Sequence, residues 1–220
     1  FPRSYVDVNR EPYELDPRMF AGELPGYANT TSPRVAGGLG TIPKVVAEGE
    51  DIYRGWLEFS DALRRVERIY VPYHRTLTAL TSEVMTKVGE VLLVDCHSMP
   101  ASATTHVNHS GAIDVVLGDR FGASCGEDLT ALIEERLQAH GLKVLRNKPY
   151  AGGFITEHYG NPASGLHTVQ LELNRAIYMD ERRRERGPRF AQVRTDFAAL
   201  ADALAQVPLG DLGPFQAAAE

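Results

Sequence analysis

Four apolar residues, Val91 to Val94, run straight into Asp95-Cys96-His97-Ser98-Met99-Pro100. An uninterrupted apolar run of this length, with a proline just beyond it, predicts a buried central strand over Val91 to Cys96. Polar groups at the carboxyl end of such a strand emerge where open α/β sheets place their ligands. His97 is then held on a rigid element, which suits metal ligation or proton transfer as well as a plain strand cap.

The remaining pattern alternates strands with helices. Ser4 to Asn9 reads as a short strand, with Val6 and Val8 on one face and Tyr5, Asp7 and Asn9 on the other. Glu11 to Glu50 is rich in Gly and Pro and predicts a long irregular excursion. Leu57, Phe59, Leu63, Val66 and Ile69 fall at helical spacing, and Pro72 is expected to interrupt that helix. A second amphipathic helix runs from about Tyr73 to Val88 and stops at Gly89. Strands are predicted over Ile113 to Gly118, Lys143 to Leu145 and Thr168 to Leu173. Ser124 is the expected N-cap of a helix over Glu127 to His140, closed by Gly141, and a last helix spans Phe190 to Ala205. This order predicts an α/β sandwich.

Composition narrows the function classes. At 220 residues, 43% of them hydrophobic and 24% charged, the chain can bury a substantial core. A net charge of -6 argues against a nucleic-acid partner. The one basic cluster, Arg182-Arg183-Arg184 with Arg186, is interrupted by Glu185 and reads as a solvated loop or helix start. No apolar stretch approaches the ~20 residues of a membrane span, and no signal peptide is visible. Two cysteines, Cys96 and Cys125, suggest no disulfide framework, so a reduced, cytoplasmic setting is expected. The chain opens on Phe1-Pro2-Arg3 with a motif already under way, and a longer polypeptide is expected.

Three polar clusters carry the candidate chemistry. Arg3 with Asn9 and Arg10 offers guanidinium forks and an amide for a carboxylate, or is simply a charged surface. In the second cluster, Asp95 is placed to orient an imidazole or to cap a turn. Cys96 and His97 are strand neighbours that point to opposite faces, which rules them out as a nucleophile–base pair. The third runs from Gly152-Gly153-Phe154 through His158 and His167 to Gln170, Glu172 and Asn174. Those last three share one face of a strand, which either lines a site or meets solvent. His158 and His167 read equally as ligands or as structural histidines. The His106-x-x-His109 spacing is weak evidence for a metal, with no third ligand nearby.

Taken together, the ordered segments resemble the N-formylglutamate amidohydrolase family. They are Tyr5-Val6-Asp7-Val8-Asn9-Arg10, Tyr73-His74, Val94-Asp95-Cys96-His97-Ser98-Met99-Pro100 and Val116-Leu117-Gly118-Asp119-Arg120-Phe121-Gly122. They continue with Pro149-Tyr150-Ala151-Gly152-Gly153-Phe154-Ile155-Thr156, then Gln170-Leu171-Glu172-Leu173-Asn174-Arg175 with Tyr178-Met179. The resemblance implies a single amidohydrolase domain over 1–220, a three-layer α/β sandwich whose mixed central sheet is flanked by helices, as in zinc carboxypeptidases and aspartoacylases. It implies a Zn2+ cofactor with His97 as a ligand, Glu172 as general base and Arg3 polarising the scissile carbonyl. Asn9 and Arg10 would hold one substrate carboxylate and Arg120 a second. The family's other two zinc ligands lie upstream of the Asn-Arg motif, so they are expected on a segment before Phe1.

The implied reaction is zinc-dependent hydrolysis of N-formyl-L-glutamate to formate and L-glutamate, in histidine degradation. The alternatives are hydrolysis of another N-acyl amino acid or small peptide, and metal-free binding of an acidic ligand. The expected partner is a small-molecule substrate, with no nucleic acid or membrane.

Overall fold

Leu166–Asn174, the strand β6, holds the second half of the chain together. The computed structural model describes residues 1–47, 50–104 and 112–207, which form two compact units, Phe1–Ser82 and Glu83–Glu220. His106 and His109 lie outside the described residues.

The first unit is largely irregular, as its Gly and Pro content predicts. It carries a one-turn helix α1 (Pro33–Ala36), the small antiparallel pair β1 (Val45–Ala47) and β2 (Glu50–Asp51), and the helix α2 (Phe59–Arg65). The strand expected over Ser4 to Asn9 is instead a run of turns. The reason is local: the Asp7 carboxylate accepts the Asn9 N–H at 3.0 Å, and Tyr5 N–H bonds Pro2 O at 2.9 Å. Pro72 does not interrupt the helix. Residues Val66–Tyr70 form a π-helical segment that joins α2 to α3 (Val71–Val88). A widened segment there takes up a residue without an N–H while the helix continues. Gly89, at φ 87°, then ends α3 in the left-handed conformation that a side chain disfavours.

The second unit is a four-stranded mixed sheet of order β3-β6-β4-β5, with β3 spanning Val91–Met99, β4 Val115–Gly118 and β5 Val144–Arg146. β6 runs parallel to β3 and antiparallel to β4, while β4 and β5 are parallel. The apolar run at Val91 is therefore not the central strand: among the described residues β3 lies at the sheet's edge and β6 in its middle. The run is also only partly buried: Val91 is enclosed, Leu92 to Val94 are half-buried and Cys96 is exposed. The pattern misplaces it because an apolar run does not tell how many strands flank it.

One face of the sheet buries Val115, Leu117, Val169 and Leu171 against Leu129, Ile133 and Leu137 of α4 (Glu127–Ala139) and Leu200 of α6 (Phe190–Leu204). Each such fully buried aliphatic side chain contributes about 1.5–3 kcal/mol. The opposite face carries a smaller apolar group, Met99, Ile113 and Val116, and the N-terminus of α5 (Phe154–Tyr159). The N-cap of α4 is Gly126, not Ser124. Ser124 is buried and donates to Thr168 O at 2.8 Å, so its hydroxyl ties the α4 approach to β6. The short hairpin β7 (Met179–Asp180) and β8 (Glu185–Arg186) carries the basic cluster, which is exposed; the Arg182 and Arg183 backbone N–H groups both donate to Asp180 Oδ1.

Candidate active site

In the parallel pair β3–β6, His97 stands directly opposite Glu172 and Asp95 directly opposite Gln170. Partners in register share a face, and residues two apart along a strand return to it. Four polar side chains therefore meet on the face turned away from α4 and α6. Within each strand the upstream residue holds the downstream one. Asp95 Oδ2 lies 2.8 Å from His97 Nε2, and Gln170 Nε2 donates to Glu172 Oε1 at 3.0 Å. Gln170 is 5% exposed and Glu172 7%. This face is thus a buried polar site and not a solvated surface.

Asn174 leaves the group despite its matching register. Its Nδ2 donates to Ile113 O at 2.8 Å and its Oδ1 accepts the Ala176 N–H, so it anchors β4 to the end of β6. His167 projects to the opposite face, where its Nδ1 accepts the Gly126 N–H at 3.0 Å and satisfies the start of α4. It is a structural histidine. His158 stacks on Phe154 within α5, with ring centroids 4.9 Å apart. Cys96 lies on the face away from His97 and is exposed, in agreement with the rejection of a Cys–His pair.

Arg120 sits in a turn over the end of β4. Arg120, Phe121 and Asn147 all take positive φ, at 53°, 57° and 60°. Non-glycine residues hold such angles only where their surroundings dictate them. Here Asn147 Nδ2 donates to Asp119 Oδ1 at 2.7 Å, and Asn147 Oδ1 accepts the Asp119 N–H at 3.1 Å. Arg120 N–H bonds Ala151 O at 2.8 Å, and its guanidinium pairs with Glu157 of α5 at 3.2 Å. Sequence reasoning missed Asn147 altogether, because nothing local marks a half-buried turn residue whose partner, Asp119, lies 28 positions away.

In the first unit Asp7 gathers the arginines. Arg3 Nε donates to Asp7 Oδ2 at 2.8 Å, and Arg10 Nε lies 3.7 Å from the same oxygen. Arg10 also donates to Leu39 O at 2.8 Å and to Asn9 O at 2.7 Å. Burial pulls the Arg10 guanidinium below its usual pKa, and the charge of Asp7 works against that shift. Tyr70 donates to Arg10 O at 2.7 Å, and His74 Nε2 lies 2.8 Å from Val8 O, so one helix face fixes the backbone of this motif. Asp7, Tyr70 and His74 were not assigned these roles from sequence. Arg3, Asn9 and Arg10 therefore form one constellation in the first unit, while His97, Glu172 and Arg120 belong to the second.

Among the described residues no group of three or more His, Cys, Asp or Glu side chains is placed to hold a metal ion. His97 fits one position of a zinc site, because a metal-bound imidazole ordinarily engages a carboxylate through its other nitrogen, as His97 does Asp95. The described residues do not complete the set of three protein donors that a catalytic zinc takes. No described helix is long and apolar enough to cross a membrane.

The chain is 32% identical over 184 residues to the N-formylglutamate deformylase of Pseudomonas aeruginosa, an alignment covering 82% of this chain and 63% of that protein. It is 34% identical over 188 residues to the N-formylglutamate deformylase of Pseudomonas putida, covering 82% and 62%. It thus spans a little under two thirds of the length of these curated relatives. The crystal structure of N-formylglutamate amidohydrolase from Ralstonia eutropha matches with a TM-score of 0.87 at 33% identity, over 94% of this chain and 74% of that one. The gene product Atu2144 from Agrobacterium tumefaciens, at 19% identity and a TM-score of 0.55, shares the fold. The family model described as N-formylglutamate amidohydrolase covers residues 1–179. With its motifs, its sheet and most of its length accounted for in this way, the chain belongs to the N-formylglutamate amidohydrolase family.

Proposed function

We propose that this protein hydrolyses N-formyl-L-glutamate to formate and L-glutamate, with Glu172 as the general base. The observation that carries the reading is the register of β3 and β6, which puts the buried Glu172 carboxylate opposite His97. Glu172 accepts a proton from the attacking water and returns it to the leaving amine, so one carboxylate serves both halves of the reaction. Arg3 donates to the carbonyl oxygen as negative charge develops there, an interaction that strengthens in the transition state. Asn9 and Arg10 hold one substrate carboxylate and Arg120 the other, which gives a dicarboxylate preference to a chain of net charge -6.

Zinc dependence belongs to this reading, supported by the His97–Asp95 pair. When bound, the ion would acidify its water to a pKa of about 7 and polarise the carbonyl. The kinship to zinc carboxypeptidases and aspartoacylases, a cytoplasmic setting and a place in histidine degradation rest on the motif resemblance.

Formate release by the full-length protein tests the reading. N-formyl-L-glutamate is expected to turn over with kcat/KM at least about 100-fold above N-formyl-L-leucine, the difference of a buried, charge-assisted pairing. Equal rates for the two would overturn the dicarboxylate assignment. Tight binding of N-formylglutamate with no formate released by the zinc-loaded protein would leave a binding protein in place of an enzyme.

A further inference from the structure

Gly118, the last residue of β4, stands opposite Gln170 in the antiparallel β4–β6 pair. A Cβ on Gly118 would lie 2.7 Å from both Ala151 C and Gly152 N. The missing side chain is therefore what lets residues 151–153 lie directly on the sheet at this point. There the Gly153 N–H donates to Gln170 Oε1 at 2.8 Å. A backbone N–H cannot accept, so this bond determines which end of the amide is the oxygen. The other end must donate, and it meets Glu172 Oε1 at 3.0 Å. Both side chains are buried, so exchanging either partner for water is costly.

We propose that Gln170 is a positioning residue for Glu172: relayed from the Gly118 contact through the Gly153 N–H, its amide fixes the plane and rotamer of the carboxylate. The inference rests on the reading of Glu172 as the base. It differs from a structural tether between the 151–153 segment and β6, which would need only the acceptor half of the amide.

Two substitutions separate these roles. Gln170→Glu retains an acceptor for Gly153 but offers no N–H to an ionised Glu172; Gln170→Met retains volume and loses both bonds. Each is expected to lower kcat about 10–100-fold with KM within about threefold, the scale of a misplaced catalytic group. In a Glu172→Gln background neither should lower kcat further, because both act through the same carboxylate. A Gln170→Glu enzyme with unchanged kcat, or losses that multiply in the Glu172→Gln background, overturns the positioning role. An unchanged kcat in Glu172→Gln itself overturns the base reading instead. Should the Gln170 variants fail to fold, the native side chain still reports. Its NH2 protons in 15N-labelled protein are expected to exchange slowly and to shift on Glu172→Gln, and free exchange with no shift would contradict the bond to Glu172.

Discussion

His97 and Glu172 owe their proximity to backbone pairing, and their orientation to the residues two positions upstream, Asp95 and Gln170. Part of this quartet was legible in the sequence: period-two spacing groups Gln170 with Glu172, and Asp95 was open as an imidazole-orienting acceptor or a turn cap. Which strand pairs with which, and in what register, was not. The same period-two rule also enlisted Asn174, whose amide in fact serves the backbone leading into β4, at Ile113 O. A residue's face follows from sequence, whereas its hydrogen-bond partner depends on a distant element. The two thiols illustrate the same point. Burial pushes the Cys125 thiol from 9.0 to about 11; partial burial, with the nearby Asp95 charge, also raises the Cys96 thiol, but Cys96 on the edge strand stays exposed to reagent. A thiol whose folded pKa is raised favours the native state fully below its unfolded value, and that contribution is lost as pH rises toward about 11. The expected outcome with an aromatic disulfide reagent at pH 8 is one fast thiol, lost in Cys96→Ser, and a second that reacts only on unfolding. Two equally fast thiols in the folded protein would contradict this burial.

At the level of elements, helices and strands were legible where a local signal decides them. Gly89 ends α3 and Gly141 follows α4, both at positive φ, as a glycine after a periodic run predicts. The failures have physical causes. Ser4 to Asn9 alternates like a strand but has Asp7, whose carboxylate closes a turn on Asn9. Pro72 reads as a break, yet a π-helical segment before it carries the helix onward. The short helix α5 was missed because Gly152-Gly153 reads as loop and only six residues follow. Packing of α4 onto the sheet supplies a stability test. Ile133 is wholly buried among Val115, Leu117 and Val169. Ile133→Ala is expected to cost about 2–5 kcal/mol, read from the denaturant midpoint at constant m-value. A loss below about 1 kcal/mol would mean that this face of α4 does not bear on the core.

For the molecule as a whole, motif order carried more information than composition. A charge of -6 and ordinary hydrophobicity bound the class without naming a reaction. Ordered segments from Tyr5 to Met179 pointed to one family, and the family model covers the same stretch, residues 1–179. What the sequence could not supply is how far each helix buries its apolar face. α3 has a clear amphipathic period, yet none of its residues is buried in this structure. The proposed activity depends, before anything else, on a carboxylate at position 172 acting on water opposite His97. The most direct measurement is single-substrate kinetics of formate release for Glu172→Gln beside the unmodified protein. The account predicts a kcat lower by about 10²–10⁴-fold with KM little changed. A kcat within about threefold of the unmodified protein would contradict it.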